Sequence, residues 1–314
     1  MMQRNWSIIL NYNLASYCLA QLNALHSVEN LGIFIVDNDS SENDYLQLRK
    51  GCSAFGGAIA DHDDVVESNL LAAKSIEGGA KLILYRSHKN LGYAGGNNIA
   101  LKLLYSLVGS GGQYLLINPD VVIEPAAASA LLGCDAEICG PAVYEHYLKS
   151  VRPLDRVDFS TGFSLEADEP GGKTSGSVLS GCCLKLSGTA LSKYGFLPDE
   201  NFLYEEEIKY FEQVYRLGGR GAYLSNVRVE HIGSVSVIKR SRKYYYYILR
   251  NRLTYFIEIA GPRYRQYWRF TRLYALWYAE LLYSNLRRRN WDGLKGILLG
   301  GWHGLRRIKG PCEP

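Results

Sequence analysis

Three segments of the sequence carry residue types that suit cation binding and proton transfer. Residues 118–120 (NPD) end an apolar run with Asp120, and a carboxylate is the ligand that Mg²⁺ takes beside phosphate oxygens. His231 precedes a glycine turn, and an imidazole can join a carboxylate at Mn²⁺. Residues 199–208 (DENFLYEEEI) set three consecutive glutamates beside apolar side chains, so at least one should lie where desolvation raises the pKa of a carboxyl group and suits it to general base catalysis.

Two further segments suit a nucleotide. Residues 37–41 (DNDSS) close an apolar run with groups that can hydrogen-bond a base or a ribose. Residues 90–98 (NLGYAGGNN) place glycines where the backbone can approach a ligand, before a helix whose N-terminus favours phosphate. This segment is not a G-x-G-x-x-G sequence and follows the third predicted strand, which counts against a dinucleotide-binding dehydrogenase.

Each segment also has a purely structural interpretation. Residues 37–41 fit an Asx turn before a helix, and residues 90–98 fit a flexible helix entry. Asp120 fits a proline turn that caps a helix, and the glutamates complement the dipole of a helix start. A lone histidine such as His231 is more often structural than a ligand. Taken singly, these alternatives stay open.

The elements that must position these residues alternate in type. Four apolar runs predict buried strands: residues 6–12, 32–36, 81–85 and 114–117. Residues 14–27 and 96–107 have helical spacing, so the order predicts a doubly wound α/β fold. Ligands bind such sheets beyond the carboxyl ends of the strands. We therefore expect the polar residues that end the first, second and fourth strands to meet in one crevice.

The later part of the sequence changes character. Beyond Gly140 the pattern predicts short strands with glycine-rich turns up to about residue 187, then helices near residues 188–194 and 205–217. Further short strands are predicted up to His231. From residue 241 the sequence is helical, with breaks at Gly261-Pro262 and near Asn290.

Charge divides the chain into two parts. Residues 239–314 contain 17 Lys and Arg against 4 Asp and Glu, whereas the 238 residues before them contain 18 against 27. We therefore predict an acidic, cation-using domain over residues 1–238 and a basic helical region over residues 239–314 that faces an anionic partner.

Several classes of protein are disfavoured by composition. An apolar fraction of 47% and a charged fraction of 21% are ordinary for a globular chain and exclude a disordered or collagenous one. No run of roughly eighteen apolar residues predicts a membrane span, and no signal-peptide pattern opens the sequence. The seven cysteines lack a recurring C-x-x-C and indicate buried thiols. We expect a cytoplasmic protein.

In register along the chain, seven segments resemble the inverting glycosyltransferases of family 2, which have the GT-A fold. The resemblance runs from residue 6 to residue 256 and is nearest to bacterial rhamnosyltransferase-type enzymes that build polysaccharides. Its marks are residues 10–13 (LNYN), 36–40 (VDNDS), 90–98, 118–121 (NPDV), 203–207 (LYEEE), 231–234 (HIGS) and 250–251 (RN). It implies a GT-A domain, Rossmann-like with a mostly parallel sheet and flanking helices, followed by a C-terminal helical extension.

The resemblance implies roles for individual residues. It assigns nucleotide-sugar binding to nine of them: Tyr12, Asn13, Asp37, Asn90, Gly92, Gly95, Asn97, Asn118 and Asp120. Asp120 stands in place of the family's Asp-x-Asp motif and would coordinate Mg²⁺ or Mn²⁺, with His231 as a second protein ligand. Glu207 is the first choice for the base that activates the acceptor hydroxyl, and Glu206 is the second.

The sequence departs from the family at the catalytic helix. The acidic pair is Glu-Glu rather than Glu-Asp, Lys209 replaces an acidic residue, and Gln213 replaces a common arginine. The resemblance also implies a dTDP-rhamnose donor, with UDP-hexoses as the alternative, and a glycan or polyprenyl-diphosphate-linked acceptor.

Aromatic and cationic residues alternate in the basic region. Rings on helices beside arginines favour the headgroup level of an anionic membrane, so we expect docking on the inner face of the plasma membrane. The alternative is a helical pair packed on the catalytic domain. Aromatics interleaved with arginine also fit single-stranded nucleic acid, but the acidic front part would repel phosphate, so no nucleic acid is expected. A third interpretation is a catalytically inactive nucleotide-sugar-binding subunit.

Overall fold

The computed structural model describes residues 3–152, 154–165, 175–233, 240–260 and 264–312, and it describes only the backbone of residues 259, 260 and 264–267. Contacts divide the chain into two compact units. The first comprises residues 1–154, 179–199 and 217–236, and the second comprises residues 155–178, 200–216 and 237–314. The predicted boundary at residues 238 and 239 lies outside the described residues, as do Ser234 and the predicted break at Gly261-Pro262.

The strands are β1 (Asn5–Asn11), β2 (Leu31–Asn38), β3 (Ala58–Ala60), β4 (Leu82–Ser87), β5 (Gln113–Ile117), β6 (Val121–Val122), β7 (Ile138–Glu145), β8 (Ser150–Val151), β9 (Asp155–Asp158), β10 (Phe163–Ser164), β11 (Ser175–Val178), β12 (Cys183–Ser187) and β13 (Ala222–His231). The helices are α1 (Ala15–Leu25), α2 (Glu42–Ala54), α3 (Val65–Glu77), α4 (Gly92–Val108), α5 (Pro125–Leu132), α6 (Gly188–Tyr194), α7 (Glu206–Arg216), α8 (Arg242–Ala260), α9 (Tyr264–Arg287) and α10 (Trp291–Leu305).

A mostly parallel sheet organises the first unit. Its strand order is β3-β4-β2-β1-β5-β12-β7-β13-β6, with β8 added beside β7. The strands β3, β4, β2, β1 and β5 are mutually parallel, and β12 runs antiparallel between β5 and β7. The pairing sets Asn11 opposite Asp37 and Ile9 opposite Ile117, so the carboxyl ends of β1, β2 and β5 share one edge. This is the edge at which the sequence predicts a crevice.

Burial explains why these segments form the centre of the sheet. Every residue of β2 is buried, which matches the continuous apolar run of a strand covered on both faces. The helix α1 packs Cys18, Leu22 and Leu25 into the same core. The seven cysteines are free, and five of them are buried, in agreement with the expectation of buried thiols.

The second unit combines a small sheet with helices. The strands β10, β9 and β11 form an antiparallel sheet, and α7 packs beside β11. The helices α8, α9 and α10 share an aromatic-rich core that includes Tyr245, Leu249 and Ile297. The predicted helical break near Asn290 is confirmed. Within the described ranges, no helix has both the length and the apolar content needed to cross a bilayer.

Three predictions about elements were wrong or incomplete. The segment that ends at His231 is one ten-residue strand with an irregularity between Leu224 and Arg228, rather than several short strands. The helix α3 was not predicted, and α2 was expected only in the structural interpretation of residues 37–41. Glycine has a low helix propensity, so Gly51 disfavours a helix prediction for α2. In the structure a Cβ at this position would lie 2.3 Å from the Leu19 side chain, so the glycine permits close packing against α1.

Candidate functional site

The ends of β1 and β2 are joined by a buried polar network. The amide of Asn11 donates to the carboxylates of Asp37 and Asp44, both at 2.8 Å, and to the hydroxyl of Ser40 at 3.0 Å. Burial raises the pKa of Asp37, and hydrogen bonds from Ser40 and Asn11 offset only part of that effect. Asp37 is fully buried, whereas Asp39 in the same loop is exposed. Asp39 is therefore the carboxylate of this loop that meets solvent.

The residues predicted to hold the base lie beside this network. Asn13 adopts a left-handed backbone with a φ of 57°, and its side chain accepts a hydrogen bond from the Ser41 amide at 2.8 Å. Tyr12 keeps 38% of its surface exposed. The loop conformation therefore presents an aromatic ring to solvent at the carboxyl edge of the sheet.

The glycine-rich segment at residues 90–98 is fixed to β2. The Asn38 amide donates to Asn90 at 3.1 Å and to the Gly92 carbonyl at 3.2 Å, while the Leu91 amide donates to Asn38 at 3.0 Å. Gly92 begins α4 with a φ of 72°, a conformation that glycine adopts without a steric cost. The predicted helix entry is thus the first turn of α4.

Two other predicted residues of this segment have different surroundings. Gly95 lines a groove of about 730 Å³ that is also lined by Lys89, Lys102 and Asp199. Asn97 is buried, and its amide donates to the Tyr93 carbonyl one turn earlier in α4. The structure therefore gives Asn97 a helix-packing contact, and its role in binding stays a prediction.

Asp120 and His231 lie together in the first unit, at the ends of paired strands. The short strand β6 follows Asp120 and pairs antiparallel with the end of β13, where Val121 lies opposite His231. The Ile232 amide donates to the Asp120 carbonyl at 2.9 Å, and the His231 Nε2 atom lies 3.4 Å from the Asp120 carboxylate. Asn118 is half-buried two residues earlier, and its carbonyl accepts from Gln21 at 2.6 Å.

Glu145 completes this cluster on the other side of the imidazole. It ends β7, where the parallel pairing sets it opposite His231, and its carboxylate lies 3.0 Å from His231 Nδ1. Burial lowers the pKa of His231, but hydrogen bonds and charge from Asp120 and Glu145 outweigh that effect and raise it to about 9. The ring therefore carries a positive charge at neutral pH between two carboxylates.

The pair of Asp120 and His231 fits a divalent cation as a two-ligand site. A carboxylate oxygen and an imidazole nitrogen suit Mn²⁺, and a cation that also binds a diphosphate takes one or two protein carboxylates and keeps waters. Glu145 faces Nδ1, the arrangement in which an outer carboxylate orients a ligating histidine through its other nitrogen. Among the described residues, no group of three or more His, Cys, Asp or Glu side chains is arranged to hold a metal alone.

The two candidate bases lie in the second unit, where α7 begins. Residues Phe202, Tyr204 and Glu205 have φ values of 70°, 67° and 73°, so the loop before α7 is left-handed at three non-glycine positions. Such conformations persist only where surrounding contacts impose them.

The tripeptide of residues 250–252 in α8 supplies those contacts. The Asn251 amide donates to the carbonyls of residues 201, 203 and 204 at 3.2, 2.5 and 3.1 Å. The buried Arg250 guanidinium donates to the Asn201 carbonyl at 2.6 Å. Arg252 forms two parallel bonds of 2.7 Å to the Glu205 carboxylate. Arg250-Asn251, a mark of the family resemblance, therefore holds the loop that leads to Glu206.

Glu206 and Glu207 have different surroundings. Glu206 is 4% exposed, and its Oε2 atom is buried without a hydrogen-bond partner. Burial and then the charge of Glu207 raise the pKa of Glu206 well above its usual range. Glu207 is half-buried. Burial therefore favours the neutral form of Glu206, and Glu207 is the more accessible carboxyl group of the pair.

Lys209, a departure from the family pattern, has a structural contact set. Its ammonium group donates to Glu200 at 3.0 Å, to Glu258 at 3.0 Å and to Asn201 at 3.2 Å. Burial raises the pKa of Glu200 and of Glu258, but Lys209 outweighs burial at Glu200, and Lys309 together with Lys209 outweighs it at Glu258, so both pKa values are lowered. Lys209 therefore ties α7 to α8.

Comparisons with known proteins bear on the fold. No protein-family model and no curated protein sequence matches this chain. Among solved structures, it is similar to the mannosyltransferase PcManGT from Pyrobaculum calidifontis in complex with GDP-Man and Mn²⁺, with a TM-score of 0.52 and 12% identity over 97% of this chain and 88% of that one. A mycobacterial protein gives a TM-score of 0.44 and 12% identity over 80% and 74%.

The chain has a GT-A-type fold. The predicted fold class, a mostly parallel sheet with flanking helices and C-terminal helices, is confirmed. At 12% identity, the likeness to PcManGT shows a shared fold and assigns no residue its role.

Sequence reasoning missed residues that the GT-A-type fold brings to these clusters. Glu145 follows the apolar segment ICGPAVY, and a polar residue at the end of an apolar run is the same signal that identified Asp37. Glu145 was missed because this segment was predicted as part of a series of short strands. Arg252 directly follows the Arg250-Asn251 pair, and no local pattern indicated that it would bind Glu205.

Proposed function

We propose that this protein is a metal-dependent inverting glycosyltransferase that moves a sugar from a nucleotide-sugar to a hydroxyl of a glycan or lipid-linked acceptor. The observation that carries the proposal is the contact between Asp120 and His231, oriented by Glu145, within a GT-A-type fold. The structural neighbour, a mannosyltransferase in complex with GDP-Man and Mn²⁺, supports the same class of reaction.

Asp120 and His231 are the proposed metal ligands. A bound Mg²⁺ or Mn²⁺ would supply positive charge to the leaving diphosphate. Asp120 would bind through a side-chain oxygen, and His231 would bind through Nε2 while Nδ1 donates its proton to Glu145.

Glu207 is the proposed base, with Glu206 as the alternative. Its carboxylate would take the proton of the acceptor hydroxyl as that oxygen forms a bond to the anomeric carbon. The bond from the anomeric carbon to the diphosphate oxygen breaks at the same time, and the electron pair leaves with the nucleoside diphosphate. Attack opposite the leaving group inverts the anomeric configuration. The different surroundings of the two residues support Glu207, because burial raises the pKa of Glu206 and favours its neutral form, whereas Glu207 is only half-buried.

The nucleotide-sugar would bind along the edge where β1, β2 and β5 end. Tyr12, Asn13 and Asp37 are proposed for the base, and Asn90, Gly92, Gly95, Asn97 and Asn118 for the rest of the donor. Asp37 is buried in the hydrogen-bond network around Asn11, which supports a role in holding the loop at this edge in place. The neighbouring Asp39 is exposed.

The finer identity of donor and acceptor rests on the family resemblance. We propose dTDP-rhamnose as the donor, with a UDP-hexose as the alternative, and a polyprenyl-diphosphate-linked or glycan acceptor in polysaccharide biosynthesis. We further propose a cytoplasmic protein whose basic region over residues 239–314 docks on the inner face of the plasma membrane, where such an acceptor would lie.

A panel of nucleotide-sugars with and without Mn²⁺ tests the proposal by thermal unfolding, because a ligand that binds only the native state raises the melting temperature. We expect one donor to raise it in a Mn²⁺-dependent way in the wild type and in Asp63→Asn, which alters an exposed carboxylate before α3. Asp120→Asn and His231→Gln should lose the Mn²⁺-dependent part. Equal Mn²⁺-dependent stabilisation of the wild type and all three variants would contradict the proposed metal site. A lack of stabilisation by every donor would contradict the proposed glycosyltransferase function.

A further inference from the structure

The helix α10 has an unusual distribution of small and large residues. Gly293, Gly296, Gly300 and Gly304 recur at helical spacing on its buried face. A Cβ built on Gly296 would lie 2.3 Å from the Arg242 carbonyl oxygen, and one on Gly300 would lie 2.6 Å from that of Tyr246. The glycines therefore let α10 lie directly against the backbone of α8, as small residues do at close helix crossings.

The opposite face of α10 carries four large apolar side chains, although Leu294 and Ile297 are buried with the glycines. Trp291, Leu298, Trp302 and Leu305 are 64%, 58%, 50% and 63% exposed. Together with Lys295 they are spaced by four, three, four and three residues, which sets them on one face. We call these four residues the outer stripe. A helix in a globular protein normally exposes polar side chains on its outer face, so four large apolar side chains exposed on one face are unusual.

Basic residues surround the outer stripe. Seven exposed cations lie within or beside α10, of which Lys309 is paired with Glu258: Arg287, Arg288, Arg289, Lys295, Arg306, Arg307 and Lys309. The Arg306 guanidinium lies 4.1 Å from the centre of the Trp302 ring. Between residues 287 and 312, which the structure describes throughout, Asp292 is the single acidic residue. The surface is therefore apolar along its axis and positively charged at both ends.

We infer that the outer stripe of α10 is a membrane-contacting surface that lies in the headgroup region of an anionic bilayer. Tryptophan prefers that level because its ring is apolar and its N–H is polar, and flanking arginines attract anionic lipids. The fifteen residues of α10 span about 22 Å, so the helix presents a linear apolar edge that can lie in the membrane plane. The inference identifies the surface through which the basic region would dock on the membrane. It does not depend on the proposed sugar transfer.

The composition of the outer stripe favours lipid over the other occupants. Single-stranded nucleic acid stacks its bases on successive rings, but Leu298 and Leu305 alternate with the two tryptophans and offer none. A second copy of the chain would bring two sets of arginines together, and like charges oppose that pairing.

Vesicle co-sedimentation of the full chain tests the inference. The wild type should bind phosphatidylcholine vesicles that contain phosphatidylglycerol at least about tenfold more tightly than vesicles of phosphatidylcholine alone. The triple variant Leu298→Ser, Trp302→Ser and Leu305→Ser should lose about tenfold or more of that binding. The matched control, Val65→Ser with Val66→Ser, alters two side chains that are 60% and 64% exposed on α3 and should bind as the wild type does.

A second measurement does not rely on a variant. Brominated lipids should quench the tryptophan fluorescence of the wild type, and less so in the triple variant. Vesicle binding that is equal in the triple variant and the wild type would overturn the inference. Two other results would also overturn it: RNA binding that the triple variant loses, or a dimer that the triple variant loses, in either case with no vesicle binding by the wild type. Thermal stabilisation by a nucleotide-sugar should persist in the triple variant, so a failure of the docking surface can be told from a failure of the proposed transferase.

Discussion

Two acidic clusters of this protein use the same residue types to opposite effect. In the first unit, Asp120 and Glu145 face the two nitrogens of His231, whose pKa is raised to about 9, so a positive charge lies between two carboxylates. In the second unit, Arg252 neutralises Glu205, while Glu206 keeps a buried oxygen without a partner and its pKa is raised. In the first cluster the carboxylates surround a positive charge, whereas in the second cluster burial favours the neutral form of a carboxyl group. The partner of each carboxylate, rather than the number of carboxylates, makes the difference.

The sharpest way to separate the two glutamates of the second cluster is Glu207→Gln. If Glu207 is the base, its loss should reduce the rate of transfer by about 10²- to 10⁴-fold, because the acceptor hydroxyl loses its proton acceptor. Donor binding, measured by thermal stabilisation, should stay within about twofold. Glu206→Gln mimics the protonated side chain and is the matched control. A larger loss of rate in Glu206→Gln than in Glu207→Gln would assign the base to Glu206.

The charge pairing within the second cluster is tested by Arg252→Met. The substitution leaves the buried Glu205 carboxylate without its guanidinium, and breaking a buried ion pair in this way costs about 3–5 kcal/mol of unfolding free energy. Chemical denaturation measures the loss. Adding Glu205→Gln should restore part of it, because no buried charge then remains. Equal stability of the single and double variants would show that the Glu205 charge is not what makes the substitution costly.

The first cluster is tested by Glu145→Gln. Removal of the carboxylate that faces Nδ1 should weaken Mn²⁺ binding in the presence of the nucleotide by about 10- to 100-fold, because the imidazole loses its orienting partner. Calorimetric titration with Mn²⁺ measures the change. Glu230→Gln, on the exposed neighbouring residue of β13, serves as the control and should leave the affinity close to that of the wild type. An unchanged affinity for Mn²⁺ in Glu145→Gln would show that Glu145 does not orient His231 for metal binding.

The smallest effect concerns the pH dependence of stability. Because the pKa of Glu206 is raised in the folded state, its contribution is present below the pKa of an unfolded glutamate and is lost as pH rises through the folded value. Glu206→Gln should therefore gain stability relative to the wild type as pH rises from about 4.5, by at most about 1.4 kcal/mol per pH unit. Denaturation at several pH values measures this slope.

The opposite slope is expected where carboxylates are paired. The lowered pKa values of Glu200 and Glu258 mean that their contribution is present above the unfolded value and is lost as pH falls through the folded ones. Lys209→Met should therefore flatten the loss of stability on the acid side. A variant with an unchanged acid slope would mean that Lys209 does not set these pKa values.

The sequence predicted the sheet well because its strands are continuous apolar runs. The segments assigned to β1, β2, β4 and β5 all lie in one sheet, and the helix predicted at residues 188–194 has those bounds. The helices α2 and α3 gave weak signals because each buries only three residues, and α2 contains a glycine that serves packing. The apolar pattern of the sequence predicts strands that are buried on both faces, and it fails for helices that are mostly exposed.

The candidate site was predictable only in part. Asp120 and His231 are 111 positions apart, and their contact depends on the antiparallel pairing of β6 with β13, which no local pattern encodes. Glu145 joins them only through the parallel pairing of β7 with β13. The backbone contacts of Asn251 depend likewise on the packing of α8 against a left-handed loop. Residue type indicated the chemistry, and strand pairing determined the partners.

The glycine row of α10 has an evolutionary consequence. Because Gly296 and Gly300 have no room for a methyl group against α8, selection acts on them through helix spacing, independently of what the outer face touches. Related sequences would then retain these glycines even where another apolar side chain replaces Leu298 or Trp302. A substitution of Gly300 by alanine would act as a wedge, lifting the helix without altering one atom of its solvent-facing side.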